Sequence, residues 1–140
     1  MFPKKIDQDF VKLLLKEEEG LKLEYKQKIS SQEKIAKTLS AMSNTVGGLI
    51  LIGISDQRKI MGIDPEEERF MITTANETFC FPKANLEFHV ISIDPDNLNE
   101  EEKYVLLVIV HAIQDEPVYV KLSDGNLKIY RRVGDKSLAS

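Results

Sequence analysis

One cysteine, Cys80, stands in the 140 residues. It has no partner for an internal disulfide, which excludes a disulfide scaffold and fits a reducing compartment. Flanked by Phe79 and Phe81, it reads as a small buried apolar residue. Long apolar runs are missing too. The longest, Tyr104–Ile113, is interrupted by His111 and falls far short of the roughly 20 residues of a spanning helix, so no membrane partner is expected. Behind Lys4 and Lys5 stand Asp7, Gln8 and Asp9 rather than an apolar stretch. No secretory leader is therefore expected, and the cytoplasm is the default location. No GxxxxGKS or GxxxxGKT stretch occurs, which removes the common phosphate loop. No Ser-His-Asp or Cys-His set can be assembled, and neither His89 nor His111 has metal-ligand company. Both histidines read as structural residues in apolar strand surroundings. A basic excess is also lacking: the net charge is −4. That excludes a uniformly basic nucleic-acid binder but not a local basic patch.

What is present is the balance of a soluble globular chain, 42% apolar and 30% charged. The length suits one domain over residues 1–140, able to bury roughly 70% of the surface its unfolded chain exposes. Charge is unevenly spread. Asp94–Lys103 holds five acids, and Glu66-Glu67-Glu68 forms a run. Lys22–Lys37 carries five Lys and two Glu, and Lys121–Lys136 carries five cations and two acids. If those two segments meet, they form one basic face on an acidic protein; otherwise each is a solvated surface.

Periodicity sets the elements. Ile6, Phe10, Leu13 and Leu14 recur at helical spacing. Leu21, Leu23 and Tyr25 alternate with Lys22, Glu24 and Lys26 as a half-buried strand, which predicts Glu24 on the solvated side. Ser30 to Glu33 offers a capping box for a second helix striped by Ile35, Leu39 and Met42. Leu49–Ile54 is a continuous apolar run, suited to a strand covered on both faces. Asp56–Lys59 reads as a turn before extended Ile60–Ile63, and Pro65 to Phe79 as a third helix. Leu86–Ile93, Tyr104–Ile113, Val118–Leu122 and Leu127–Arg132 read as strands, the last two joined by a turn at Asp124-Gly125-Asn126. The expected class is α+β, with about three helices and a mixed, mostly antiparallel sheet.

Several ordered motifs resemble one family. Glu19-Gly20-Leu21-Lys22-Leu23-Glu24-Tyr25-Lys26 is similar to the "E…LEFK" opening of the Schlafen-type, AlbA-like domain. Ala41 to Ile54, with Asn44-Thr45-Val46-Gly47-Gly48 at its centre, is similar to that family's "AxANTxGGxLxIGV". Gly62, Pro82, Pro117-Val118-Tyr119 and Tyr130-Arg131-Arg132-Val133-Gly134 follow in the family's order. The resemblance covers nearly the whole chain. It implies a Schlafen AlbA-like fold and a nucleic-acid-binding function, on RNA or DNA, in a domain found alone or ahead of ATPase-like and winged-helix regions. A homodimer, or a partner supplying such C-terminal regions, is compatible with it. In longer relatives the segment resembling Val133–Ala139 leads into a helix. Some vertebrate relatives are endoribonucleases acting on transfer and ribosomal RNA with three carboxylates and a divalent metal. Those carboxylates fall on Glu19, Glu24 and Asp56, a hard-oxygen set suited to Mg²⁺ or Mn²⁺, whose ion activates water and stabilises phosphate charge. Ser55 departs from the pattern, since nuclease members carry a second acid there.

The residues also admit plainer roles. Glu19 ends an acidic run, Glu24 suits a solvated strand face, and Asp56 suits a turn. The glycines of Asn44–Gly48 follow a helix and precede a strand, the reverse of a phosphate cradle, so they read as a helix stop with no ATP expected. Asn44 is a candidate hydrogen bonder behind the site. Arg131 and Arg132 point to opposite strand faces, one toward a carboxylate and the other toward a phosphate. Lys26, Lys28 and Arg132 are the candidate phosphate contacts. Tyr25, Tyr119 and Tyr130 are either base-stacking or core residues. Three functions follow: a nucleic-acid-binding domain, a divalent-metal-dependent endoribonuclease using Glu19, Glu24 and Asp56, and a protein–protein adaptor using the acidic loop or an open strand edge.

Overall fold

Capping and alternation explain where most elements begin in the computed structural model of the chain, which describes residues 5–113 and 115–140. The Met1–Lys4 part of the leader reading lies outside these. Helix α1 spans Gln8–Leu14, capped by the Asp7 carboxylate accepting from the Phe10 N–H. Its buried side chains are Val11 and Leu14, while Leu13, expected on the stripe, is 62% exposed. The helix is only two turns long, so one i, i+3 pair suffices to face the sheet.

Strand β1 covers Leu23–Lys26. It begins two residues later than the alternation predicts, because the Gly20 N–H folds back onto the Leu23 carbonyl at 3.0 Å. Helix α2 runs Gln32–Ser43. Its cap is Ser31, whose Oγ accepts from the Lys34 N–H, rather than Ser30. Glu33 does not close the expected box; its carboxylate accepts from the Ser123 N–H 3.1 Å away. Ile35, Leu39 and Met42 are buried as expected. Strand β2 is Gly48–Ile52, and α3 is Pro65–Phe79 with Pro65 in its first turn and Asp64 capping Glu66 and Glu67. The remaining strands are β3 (Cys80–Phe81), β4 (Leu86–Ile93), β5 (Lys103–Val110), β6 (Tyr119–Lys121), β7 (Leu127–Val133) and β8 (Lys136–Ala139). Strand β8 returns along β7. Ile60–Ile63 holds only one bridge, Ile54 to Ile60.

The class is α+β, but the strands form two sheets, ordered β1-β2-β5-β4 and β3-β6-β7-β8. Among the described residues, only β1 and β2 pair in parallel. Residues on opposite faces of β2 and β5 enter two cores. Ile50, Ile52, Leu106 and Val108 join α2 and α3, and Leu51, Leu107 and Ile109 join α1. That double coverage is why both strands read as unbroken apolar runs. Helix α2 packs between the two sheets, with β7 and β8 on its far side.

Buried polar groups tie the layers together. Asn76 clamps both the N–H and the carbonyl of Ala84. Glu68 accepts from the Ile29 N–H at 2.6 Å. Cys80 is buried with its Sγ directed at the Ala36 carbonyl, and burial pushes its thiol up to about 12. The two histidines differ from expectation. They are half-exposed and face one exposed carboxylate, with His89 Nε2 2.5 Å and His111 Nε2 3.5 Å from Glu87. These contacts hold the Glu87 carboxyl below the usual carboxylate range, the His89 hydrogen bond contributing most. Among the described residues, no helix is long and apolar enough to cross a membrane.

Candidate nucleic-acid interface and acidic pocket

The Asn-Thr-Val-Gly-Gly segment is a structural joint. Asn44 Oδ1 accepts from the Val118 N–H at 2.7 Å, and Asn44 Nδ2 donates to the Val118 and Tyr130 carbonyls at 2.9 and 3.0 Å. Thr45 Oγ1 accepts from the Arg132 N–H at 2.9 Å. The end of α2 is thereby fastened to β6 and β7. Gly47, at φ +75°, donates to the Met42 carbonyl and closes the helix. A Cβ at Gly47 would lie 2.7 Å from the Val110 carbonyl oxygen, and one at Gly48 would lie 2.8 Å from that of Lys22. Both positions are glycine because backbone passes against backbone.

The strand alternation splits the two arginines. Arg131 is exposed and donates to the Asn44 carbonyl at 2.8 Å. Arg132, expected at a phosphate, is interior. Its Nη1 donates to Glu24 Oε1 at 2.8 Å and to Ser137 Oγ at 3.1 Å, and its Nε donates to the Gly20 carbonyl at 3.1 Å. Glu24 is likewise buried rather than solvated, because Arg132 of β7 reaches across to β1 and supplies its counter-charge. Lys26 Nζ stands 3.3 Å from Glu24 Oε2, outside hydrogen-bonding geometry, so Oε2 is buried without a hydrogen bond.

The other two candidate carboxylates line one open cavity of about 290 Å³ with Glu18, Asp135, Arg58 and Tyr25. Glu19 Oε2 accepts from the Tyr25 N–H at 2.9 Å. Asp56 sits in the expected turn, which Ser55 closes through its backbone and Oγ to Lys59. Ser55 thus organises the loop through its own hydroxyl. Tyr25 is half-buried, its hydroxyl 2.6 Å from the Leu14 and Glu17 carbonyls, and burial raises its phenol above the usual value. Arg58, at φ +59°, brings its guanidinium to 5.8 Å from the Tyr25 ring centroid. Glu24 is not among the lining residues. The donors are hard oxygens suited to Mg²⁺ or Mn²⁺, yet among the described residues no group of three or more acids, histidines or cysteines is arranged to hold a metal ion. Arg58 and Asp135 were not foreseen. The only sequence hint was the Gly134-Asp135 pair at a turn.

The two basic segments do meet. Helix α2 packs on β7, Glu33 receives the Ser123 N–H, and Lys37 Nζ lies 5.7 Å from the Tyr130 ring centroid. Lys26, Lys28 and Lys34 line a shallow cleft with Ser30 and Ser31 where α2 begins. Lys28, Lys34 and Lys128 are exposed, and Lys26 is half-exposed. Tyr130 is buried, whereas Tyr119 is 37% exposed. No curated protein matches the chain. The profile of one family, described as Schlafen, AlbA_2, matches residues 19–139, and the chain belongs to that family.

Proposed function

We propose that this chain binds nucleic acid through the basic ridge along α2. The observation that carries the reading is the junction of the two basic segments: Lys26, Lys28 and Lys34 share one cleft, Lys37 reaches Tyr130 of β7, and α2 packs on the strand that carries exposed Lys128, on a chain of net charge −4. Phosphates require cations without any fixed base pattern, and a lysine ridge at a helix N-terminus meets that requirement. Membership of the Schlafen, AlbA_2 family supports it. Arg132 is left out of the contact set because its guanidinium is engaged with Glu24. Exchanging Lys28 and Lys34 together for alanine is expected to weaken binding and lower the salt slope by about 1.5–2, one phosphate contact each. Fluorescence anisotropy with labelled RNA and the same DNA sequence, over a range of salt, measures it. An unchanged slope contradicts the reading.

A second reading is a divalent-metal-dependent endoribonuclease. It is favoured by the cavity that Glu19 and Asp56 share with Arg58 and Asp135. A bound Mg²⁺ or Mn²⁺ there would activate water and stabilise charge on a phosphodiester. Glu19 and Asp56 would hold the ion, and Arg58 would hold a non-bridging phosphate oxygen. Asp56→Asn is expected to abolish Mn²⁺-dependent cleavage of transfer RNA while leaving binding intact. Glu24 is a poor probe, because its loss leaves Arg132 buried and unpaired. Absence of cleavage by the unaltered chain leaves the binding reading alone.

A further inference from the structure

The first sheet ends in two edges that differ. The β1 edge is closed from within: the Leu23 carbonyl accepts from the Gly20 N–H and lies 3.4 Å from Arg132 Nη2, and the Tyr25 N–H donates to Glu19. The β4 edge is open. The His111 N–H donates to the Asn85 carbonyl, and Leu86 stands opposite Val110, so odd-numbered β4 residues bond toward β5. The N–H and carbonyl groups of Leu86, Phe88, Val90 and Ser92 therefore point outward, and among the described residues none has a hydrogen-bond partner. No Lys, Arg or Pro interrupts Leu86–Ile93. The one charge on the strand is Glu87, and the Arg69 guanidinium of α3 lies 4.7 Å from the Phe88 ring centroid. Of the usual guards against edge pairing, only a carboxylate therefore stands on the strand itself. Val90 is 53% exposed.

We propose that this edge pairs with β4 of a second copy of the chain, antiparallel and centred on Phe88, joining two four-stranded sheets into one of eight. The register is argued from charge. Outward groups must meet outward groups, so Leu86 faces Val90 of the second copy and Phe88 faces Phe88. That exchange forms about six backbone hydrogen bonds. Glu87 then lies opposite His89 of the second copy, twice, in the close non-hydrogen-bonded pairs. Moving the centre by one residue sets Glu87 against Glu87, where like charges directly opposite are destabilising, or sets His89 against His89 and takes each imidazole away from the Glu87 carboxylate that would accept from it. Glu87 and His89 already face one another within a copy, so the pairing extends that ladder across the two-fold axis.

Sedimentation velocity of the full chain, without nucleic acid, tests the proposal independently of the function proposed above. A reversible monomer–dimer equilibrium is expected between about 1 μM and 1 mM. Val90→Lys sets a cation on the open edge and should leave only monomer. Glu87→Lys should raise the dimer dissociation constant about tenfold or more. Adding His89→Glu to Glu87→Lys sets opposite charges against each other in the same register, and the dimer should return. Circular dichroism checks that each variant is folded, and Glu87 is exposed enough to serve if Val90→Lys is not. A chain monomeric throughout overturns the proposal. So does a dimer indifferent to Val90→Lys and Glu87→Lys, or a double variant that fails to recover.

Discussion

Arg132→Ala is expected to destabilise the protein by about 3–5 kcal/mol, the usual cost of leaving a buried charge without its partner. Glu24 would remain in the interior with one oxygen stripped of its guanidinium, the other without a hydrogen bond, and the half-exposed Lys26 ammonium 3.3 Å away as its remaining counter-charge. The Gly20 carbonyl and Ser137 Oγ would lose donors as well. Against a total stability of about 5–15 kcal/mol this is a large fraction, and at this chain length it lowers the melting temperature by about 10 °C or more. Replacing both residues by methionine should cost much less than Arg132→Ala, because an apolar pair leaves no orphaned charge. Thermal denaturation of the single and double variants measures both. A loss below about 1 kcal/mol for Arg132→Ala would mean the pair behaves as a surface ion pair.

Gly47→Ala is the second large effect, expected at about 2–4 kcal/mol. Two terms add. An alanine at φ +75° carries the left-handed penalty of roughly 1–2 kcal/mol. Its Cβ would also meet the Val110 carbonyl oxygen at 2.7 Å and the Ala112 nitrogen at 3.0 Å, both backbone and unable to rotate away. Gly125 is the internal control: its φ is +88°, and a Cβ there meets nothing within 4 Å. Gly125→Ala therefore reports the conformational term alone, and the excess of Gly47→Ala over it measures the close approach. Equal losses in the two variants would show that the end of β5 yields freely.

These residues also explain how much of the fold was legible in the chain. Helix α3 and strand β4 begin and end where the sequence predicts, because Pro65 in a first turn and the apolar period of Leu86–Ile93 are local signals. Local signals misplace the α2 cap by one residue. Two consecutive serines compete for it, and the carboxylate that would choose between them is drawn to Ser123, 90 positions away. Strand alternation separated Arg131 from Arg132 correctly but did not say which turns inward. That depends on Glu24, 108 residues distant, and the same missing partner made Glu24 look solvated. Strands β3 and β8 have two and four residues, too few to carry a period. At the pocket, Glu19 and Asp56 were legible only through family resemblance. Arg58 entered through a left-handed backbone that no single-sequence pattern announces.

The basic ridge is the central claim, and mapping bound nucleic acid onto backbone amides tests it most directly. Titrating the isotope-labelled chain with a short RNA oligonucleotide at low salt should shift the amides of Lys26 to Lys37 and of the β6–β7 hairpin near Lys128. The outer edge of β4 should stay unmoved. Shifts confined to Glu18, Glu19, Asp56 and Asp135, or no shifts at any concentration, would contradict binding through the α2 ridge.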